Sequence, residues 1–320
     1  MKPIEFSSSL AECMTQFVAF KRVEGYDYTC GAYELSHFDR FLAERFATFE
    51  RLAAEQLALY VEFTSNLNDR NRYNRLSIVR VFSRFMHALD PRGAVLGRIP
   101  VKRPSLPRFH LYGDAEIVAL LEASLRLEPT CSLRPHCFHM LIGLLAVTGL
   151  RISEALGLDL RDLELPHHRL FVRNGKFGKE RYVAIDPSTV RRLEAFLAIR
   201  RPYGDGAPTA PLFLDRAGRR LPYSQARETF ATLRRVARIG DAADKPPRLH
   251  DLRHTYACNC LRKWRGEGVD VNAKLPLLAT AMGHTKVEHT QIYLHVTPQQ
   301  LEEGSERLRD QLNRRTTKGN

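Results

Sequence analysis

The chain has 320 residues, a net charge of +13 at pH 7 and a pI near 9.7, and 44% of its residues are hydrophobic. This length and composition predict a globular protein of two domains and exclude a disordered or fibrous chain. The excess of Lys and Arg favours a polyanionic partner, although a merely basic protein would carry the same charge.

The cysteine pattern and the apolar runs indicate the cellular compartment in which the protein acts. Six cysteines stand at irregular spacings, which argues against a disulfide framework. No apolar core region follows Lys2 and Glu5, so we expect no secretory signal. The longest apolar run, residues 138–150, is interrupted by His139 and is too short to span a bilayer. We therefore expect a cytoplasmic protein with no membrane partner.

Residues 1–92 are predicted to form a helical domain. Apolar residues recur at helical spacing in four stretches, and the fourth begins near Asp69 and ends before Pro91. One side of this fourth helix is basic, which suits contact with the backbone of a polyanion but is equally typical of a solvated face. The arginines on that side are Arg70, Arg72, Arg75, Arg80 and Arg84.

Residues 93–110 are rich in proline and glycine, which break regular structure, so this segment is predicted to be a domain linker. Its basic residues, among them Lys102 and Arg103, are expected to contact phosphate groups. The second domain is then expected to span residues 111–320.

The second domain is predicted to be mainly helical, with a small β-sheet. Helices are expected from Asp114 and over residues 135–147, and short strands over residues 159–165, 170–172 and 181–185. The two domains together predict a mainly α protein with a small sheet, an α+β fold. Helices are predicted to resume over residues 187–200, 223–238, 249–262, 273–282, 287–294 and 298–312.

Side chains suited to phosphate chemistry are concentrated in four short motifs of the second domain. Together the motifs supply two guanidiniums, an ammonium, three imidazoles and, a few residues later, a phenol. The motifs are Thr148-Gly149-Leu150-Arg151, Gly175-Lys176, His250-Asp251-Leu252-Arg253-His254 and Gly283-His284, with Tyr293 nine residues after His284.

This set of side chains is what attack on a phosphodiester requires. Displacement at phosphorus adds negative charge to the phosphoryl oxygens, and guanidiniums donate to such oxygens in pairs while staying protonated. A phenol, with a pKa of about 10, needs nearby positive charge and a neutral histidine to attack at neutral pH. The lysine, on a turn between predicted strands, can protonate the departing sugar oxygen. The sequence therefore predicts cleavage of DNA strands through a phosphotyrosine bond, without metal or nucleotide cofactor.

The four motifs, in this order, resemble those of the tyrosine recombinases of the phage-integrase family. The resemblance covers most of the second domain, while residues 1–92 resemble the core-binding domain of that family more weakly. The turn from Lys176 to Lys179 and residues 275–278 resemble the branch found in transposable elements with several recombinase genes. The matching segments run from Thr148 to Leu156, Gly175 to Arg181, His250 to Thr255 and Met282 to His284.

The resemblance implies that the protein clamps duplex DNA and that its cations hold the reacting phosphate. Arg151 and Arg253 would bind the scissile phosphate, although outside these motifs an arginine at such a place would more often brace a helix end. Lys176 would protonate the leaving 5′ oxygen, in preference to Lys179 on the same turn. Lys179 and Arg181 are expected to contact DNA.

The resemblance gives the remaining motif residues roles in proton transfer and attack. His250 would help manage the tyrosine proton, and His284 would donate to a phosphoryl oxygen, although a loop histidine would also fit. Tyr293 would attack to give a 3′-phosphotyrosyl bond; its apolar neighbours would also suit a core tyrosine, and Tyr256 is the rival phenol. Glu154 is expected to support the fold or to orient a cation.

Recombination in this family implies double-stranded DNA as partner and a homotetramer on synapsed DNA sites, alone or with sister recombinases of a mobile element. The protein would then act at the nucleoid. Three alternatives stay open: a DNA-binding accessory protein that does not cut alone, a relaxing topoisomerase and a metal-dependent nuclease. The full motif set argues against the first, the order of the motifs and the helical first domain against the second, and the lack of an acidic cluster against the third.

Two groups of His and Cys residues raise the question of a structural metal. His250 and His254 stand four residues apart with Cys258 and Cys260 beyond, but no glutamate follows the first histidine as in a zinc protease motif. A second group, between residues 131 and 139, lacks zinc-finger spacing. We therefore expect no metal and no cofactor, and a packing or supporting role for His254.

Overall fold

The chain forms two compact units, Met1–Pro107 and Arg108–Asn320, in a computed structural model. The division at residues 107 and 108 falls inside the segment 93–110 that is predicted to be a linker. The structure describes residues 4–102, 109–173, 180–240, 246–284 and 287–294.

The helices of the first unit pack around an aromatic core. Phe17, Phe38, Tyr60 and Phe82 are completely enclosed. The rings of Phe38 and Tyr60 lie 4.7 Å apart at an angle of 59°, so they interlock rather than stack. The helices are α1 (Ala11–Val23), α2 (Thr29–Arg45), α3 (Ala54–Phe63) and α4 (Asp69–Leu89).

The chain after α4 is partly built into this unit. The amide of Ala94 donates to the carbonyl of Leu52 at 2.8 Å, and the amide of Leu96 donates to the hydroxyl of Ser83 at 3.0 Å. Leu96 and Ile99 are buried in the helical core. The first part of the predicted linker therefore packs on the helices instead of standing free of them.

A largely apolar helix, α6, is central to the second unit. It packs against α5, α8 and α10, and its Leu141, Ile142 and Leu144 are fully buried. The helices of this unit, in chain order, are α5 (Asp114–Leu125), α6 (Leu133–Thr148), α7 (Ile152–Gly157), α8 (Pro187–Arg200), α9 (Tyr223–Val236), α10 (Asp251–Gly266), α11 (Val271–Met282) and α12 (Glu288–Gln291).

The sheet of the second unit is antiparallel and small. Strands β1 (Leu163–Glu164), β2 (Arg169–Val172) and β3 (Arg181–Ala184) lie in that order, and Leu170 pairs with Leu163 on one side and Val183 on the other. The turn that carries Lys176 lies outside the described residues.

The predicted strand over residues 159–165 is wrong for most of its length. The carboxylate of Asp162 accepts the amide of Asp159 at 2.9 Å, and this local bond closes a 3₁₀ turn over residues 160–162. Short polar side chains compete with strand pairing by capping their own backbone in this way.

The predicted helix over residues 287–294 is shorter than expected, because α12 spans only four residues. Tyr293 lies on the turn that follows it, where its amide donates to the carbonyl of Thr290 at 3.1 Å. The helix predicted over residues 298–312 lies outside the described residues. The predicted fold class, mainly α with a small sheet, is confirmed.

The end of α6 requires glycine at position 149. Its φ of 62° is left-handed, and a Cβ there would lie 2.3 Å from the Tyr256 ring. We expect Gly149→Ala to destabilise the protein by more than the ~1–2 kcal/mol of the backbone term alone. Thermal unfolding measures this, with Gly157→Ala as the control because a Cβ at Gly157 meets nothing within 4 Å. Equal melting temperatures for the two variants would contradict this account.

Candidate active site

Two arginines of the second unit are held by the carbonyls of helix ends. Helices α6 and α11 each end in a left-handed glycine, Gly149 with φ 62° and Gly283 with φ 64°. Arg253, on α10, donates Nη1 to the carbonyl of Gly149 at 2.6 Å and Nη2 to the carbonyl of Met282. Arg151, at the start of α7, donates Nη2 to the carbonyl of Gly283 at 2.8 Å. Carbonyls at helix C-termini lack intrahelical partners, so they are ready acceptors for cations.

A buried carboxylate, Glu154, ties Arg151 to a third arginine. Glu154 accepts the amide and Nη1 of Arg151 at 2.9 and 2.7 Å, and the Nη1 and Nη2 of Arg181 at 3.0 and 2.8 Å. Arg181, on β3, also donates Nε to the carbonyl of Ala281 at 2.9 Å. Burial raises the pKa of Glu154, but the bonds from Arg181 and Arg151 outweigh it and bring this pKa down to about 2.

The pocket between these groups remains positively charged. Burial and the neighbouring charge of Arg151 lower the pKa of Arg253 to about 10. Among the described residues, the carboxylate of Glu154 pairs with Arg151 and Arg181, whereas Arg253 bonds to two carbonyls. Arg151 and Arg253 each use only two of their five side-chain N–H donors. The arrangement therefore suits an anion with several oxygens, such as a phosphate diester.

The hydroxyl of Tyr293 lies beside this pocket and is bonded to an imidazole. Tyr293 is 3% exposed, and its Oη lies 2.9 Å from Nδ1 of His254. Burial raises the pKa of Tyr293 to about 12, while the charges of Arg253 and Arg151 act in the opposite direction. The expected effect of the cations on this phenol is present, but burial outweighs it.

Two further histidines surround the phenol. The ring of His284 lies nearly parallel to that of Tyr293, with centroids 6.5 Å apart, and its Nδ1 lies 2.8 Å from the hydroxyl of Thr290. Burial, Arg253 and Arg151 lower the pKa of His284 to about 3, so its ring is neutral at neutral pH. His250 is exposed and lies immediately before α10, and partial burial, followed by the charge of Arg253, lowers its pKa.

Comparison with known proteins assigns the chain to a family. The model of the phage integrase family matches residues 114–300. The chain belongs to the phage integrase family. The putative integrase/recombinase y4rB of Sinorhizobium fredii (strain NBRC 101917 / NGR234) is 33% identical over 308 residues, which cover 94% of this chain and 97% of that relative.

Tyrosine recombinases of the same family give similar results. XerD of Mycobacterium tuberculosis (strain ATCC 25618 / H37Rv) is 36% identical over 247 residues, covering 75% of this chain and 74% of that relative. The crystal structure of XerH bound to a palindromic difH substrate, a post-cleavage complex, is similar in fold, with a TM-score of 0.64 and 21% identity. The match covers 86% of this chain and 77% of that one. As a member of the phage integrase family, the protein is therefore a DNA strand-transferring enzyme of the tyrosine recombinase type.

The structure brings together five of the side chains that the motifs of this family single out. Arg151, His250, Arg253, His284 and Tyr293 form one cluster in the second unit, where their charges influence one another. Two others cannot be placed, because Lys176 and Lys179 lie outside the described residues.

The residues predicted to contact DNA have varied surroundings. Arg181 is 10% exposed and donates to Glu154 and to the carbonyl of Ala281 at the end of α11. In the first unit, Arg72 donates to the carbonyl of Val61 at 3.1 Å and Arg75 to Glu34 at 3.1 Å. Of the other predicted contacts, Arg80 is half-buried, Arg84 and Lys102 are exposed, and Arg103 lies outside the described residues.

The direct partner of the phenol differs from the one expected from the sequence. His254 was expected to pack or to support, yet it is the residue whose ring nitrogen meets the Tyr293 hydroxyl. One signal was available, because its four-residue distance from His250 places both rings on the same side of α10. The carbonyls of Gly149, Met282 and Gly283 gave no such signal, since backbone acceptors are not visible in residue types.

Two further predictions of the sequence analysis can be compared with the described part of the chain. Across residues 4–102, 109–173, 180–240, 246–284 and 287–294, no group of three or more His, Cys, Asp or Glu side chains could hold a metal ion. Within the same ranges, no helix is both long and apolar enough to cross a membrane.

Glu154 gives the site a predictable response to acid. Because its pKa in the folded protein is about 2 and its ordinary value is 4.5, its contribution to stability is full above about pH 5 and is lost as pH falls toward 2. We expect the wild type to lose about 2 kcal/mol more unfolding free energy than Glu154→Gln between about pH 5 and about pH 3. Urea unfolding at both pH values measures this difference. Parallel losses in the two proteins would show that this carboxylate is not stabilised by its arginines.

Proposed function

We propose that this enzyme cuts and rejoins DNA strands at specific sites through a 3′-phosphotyrosyl bond to Tyr293, without metal or ATP. The observation that carries the proposal is the position of the Tyr293 hydroxyl. It is bonded to a neutral imidazole and lies within the electrostatic influence of Arg151 and Arg253. No other described tyrosine combines these features: Tyr256, the rival phenol, packs its ring against Gly149 and bonds to Cys260.

In the proposed reaction, the two arginines bind the non-bridging oxygens of the scissile phosphate. They use the N–H groups that are not bonded to the helix-end carbonyls. As negative charge develops on the phosphate oxygens, these hydrogen bonds become stronger. Fixed donors of this kind each contribute about 10²–10³ in rate.

His284 completes the contacts to phosphate in this proposal. Its ring is neutral, and the hydroxyl of Thr290 can donate to its Nδ1, which leaves the proton on Nε2 for a phosphoryl oxygen. Attack by the Tyr293 oxygen forms the new O–P bond as the bond to the 5′ oxygen breaks, and the phenol proton passes to a neighbouring histidine. Lys176 protonates that oxygen, as the family resemblance implies.

The proposed partner is double-stranded DNA. The relatives with solved structures include XerH bound to a difH substrate and the Tn1549 transposon integrase bound to transposon right end DNA. The net charge of +13 agrees with such a partner. We propose phosphate contacts for the exposed Arg84 and Lys102, and also for Arg72, Arg75, Arg80, Arg103, Lys179 and Arg181.

Strand exchange requires four active sites on two DNA sites, so we propose a homotetramer on synapsed DNA, acting alone or with sister recombinases at the nucleoid. We further propose a mobile element as its source, which the similarity in fold to the Tn1549 transposon integrase supports. A non-cutting accessory protein is less well supported, because the described pocket contains the nucleophile together with both arginines.

Removing one oxygen tests the nucleophile. We expect Tyr293→Phe to form no covalent adduct with a nicked duplex that traps cleavage, while its affinity for the same duplex stays within a few-fold of wild type. Denaturing gels detect the adduct, and duplexes spanning the ends of the resident element supply the site. Tyr256→Phe is the matched control and should keep the adduct. An adduct formed by Tyr293→Phe would refute the assignment.

Chelation tests the absence of a metal requirement. Cleavage by guanidiniums and a tyrosine requires no Lewis acid, so we expect the same adduct yield with and without excess EDTA. The measurement is the yield of trapped adduct at equal salt, because binding to DNA depends steeply on ionic strength. Loss of cleavage in chelator that added Mg²⁺ restores would favour the nuclease alternative.

A further inference from the structure

The imidazole of His254 is held in place from several sides. The ring of Phe109 stacks on it, with centroids 4.4 Å apart and planes at 20°. The ring of His250 meets it edge-on at 4.9 Å. Phe109 also touches Tyr293 edge-on at 6.1 Å, so one aromatic ring contacts both partners of the hydrogen bond. A ring clamped in this way presents Nδ1 to the phenol in a fixed direction.

The surroundings of His254 keep its ring uncharged until a proton arrives. Burial and the adjacent His250 lower the pKa of His254 to about 4. A neutral imidazole has one nitrogen that accepts and one that donates, and the phenol supplies the hydrogen that an accepting Nδ1 requires. The titratable and charged groups that face this ring are His250, Asp251 and Arg253 on α10, Arg248 before it, His284 after α11 and Tyr293 after α12.

We propose that His254 is the group that accepts the proton of Tyr293 when the hydroxyl attacks phosphorus. The proposal rests on the proposed function and departs from the family resemblance, which gives this task to His250. The geometry favours His254, because its Nδ1 lies 2.9 Å from the attacking oxygen. Within the described part of the chain, His250 makes only a ring contact to His254 and no hydrogen bond to the phenol.

The step balances without any added reagent. The Tyr293 oxygen forms a bond to phosphorus while its proton passes to Nδ1 of His254, and the bond from phosphorus to the 5′ oxygen breaks. The 5′ oxygen takes a proton from Lys176. In rejoining, the free 5′ hydroxyl gives its proton back to Lys176 as its oxygen attacks phosphorus. The bond from phosphorus to the Tyr293 oxygen breaks, and the proton on His254 returns to that oxygen.

The burial of Tyr293 explains why such an acceptor matters. With a pKa of about 12, only a very small fraction of the phenol is ionised at neutral pH, so solvent alone supplies little nucleophile. A proton acceptor already in contact removes this dependence on hydroxide. General base catalysis of this kind typically increases the reaction rate by a factor of about 10²–10⁴.

The test compares single-turnover cleavage rates across pH with a nicked trapping duplex. His254→Asn keeps a hydrogen-bond acceptor near the phenol but cannot be protonated, and His254→Gln is a second variant of the same kind. We expect both to bind DNA as the wild type does and to cleave about 10²–10⁴-fold more slowly near pH 7. Their rates should rise about tenfold per pH unit, because ionisation now follows hydroxide, whereas the wild-type rate should be flat between about pH 6.5 and 8.5.

Three further variants separate a proton acceptor from a structural role. His139→Asn removes another bonded imidazole, which lies 3.1 Å from the carbonyl of Leu121, and should leave rate and profile unchanged. Phe109→Leu loosens the clamp but keeps the imidazole, so it should lower the rate while the profile stays flat. His250→Gln should keep a flat profile as well.

Each contrary outcome is informative. A flat profile in His254→Asn and His254→Gln, or a steep one in His250→Gln, would overturn the proposal for His254 and leave the phosphotyrosyl reaction intact. Failure of the folded wild-type protein to form any adduct, at every pH and with duplexes from both ends of the element, would overturn both. Thermal unfolding of every variant shows which rates come from folded protein.

Discussion

Helix-end carbonyls that hold guanidiniums are the interaction on which this active site depends. Arg151 and Arg253 repel each other, and burial adds to the cost of their charges. Glu154 pairs with Arg151, and a second carboxylate beside Arg253 would cancel more of the positive charge that a phosphate needs. The ends of α6 and α11 supply partial negative charge instead, through Gly149, Met282 and Gly283. The arginines are thereby fixed in place while the pocket stays electropositive.

The same charges divide the site into two kinds of group. The guanidiniums remain protonated and deal with the charge on phosphate, whereas burial and those cations hold the neighbouring imidazoles neutral. Neutral imidazoles can both accept and donate, so protons can move at a pH where the cations do not titrate. Burial of Tyr293 works against its own ionisation. The ionisation of a buried phenol depends on the group bonded to its hydroxyl, which here is His254. The packing of Phe109 on His254 therefore affects the ionisation of Tyr293.

Much of this structure could be predicted from the sequence because apolar spacing and a set of short motifs carry it. Helix α8 has its predicted bounds, and Gly149 ends α6 as expected. The strand predicted over residues 159–165 failed because a single side-chain bond from Asp162 decides the local backbone, which hydrophobic pattern does not report. The histidine that bonds to the Tyr293 hydroxyl could not be chosen between His250 and His254 from spacing alone, since they stand four residues apart. Arg181 reads as a surface cation, and only the tertiary fold shows that it faces Glu154.

Thr290 connects two parts of the site. It is fully buried, its hydroxyl meets His284, and its carbonyl holds the amide of Tyr293. Moving the segment from Val287 to Leu294 away from the rest of the second unit would break the bond to His284 and the one between Tyr293 and His254 together, at about 1 kcal/mol for each. The placement of the phenol and that of His284 are therefore cooperative, because neither side chain can shift without disturbing the other.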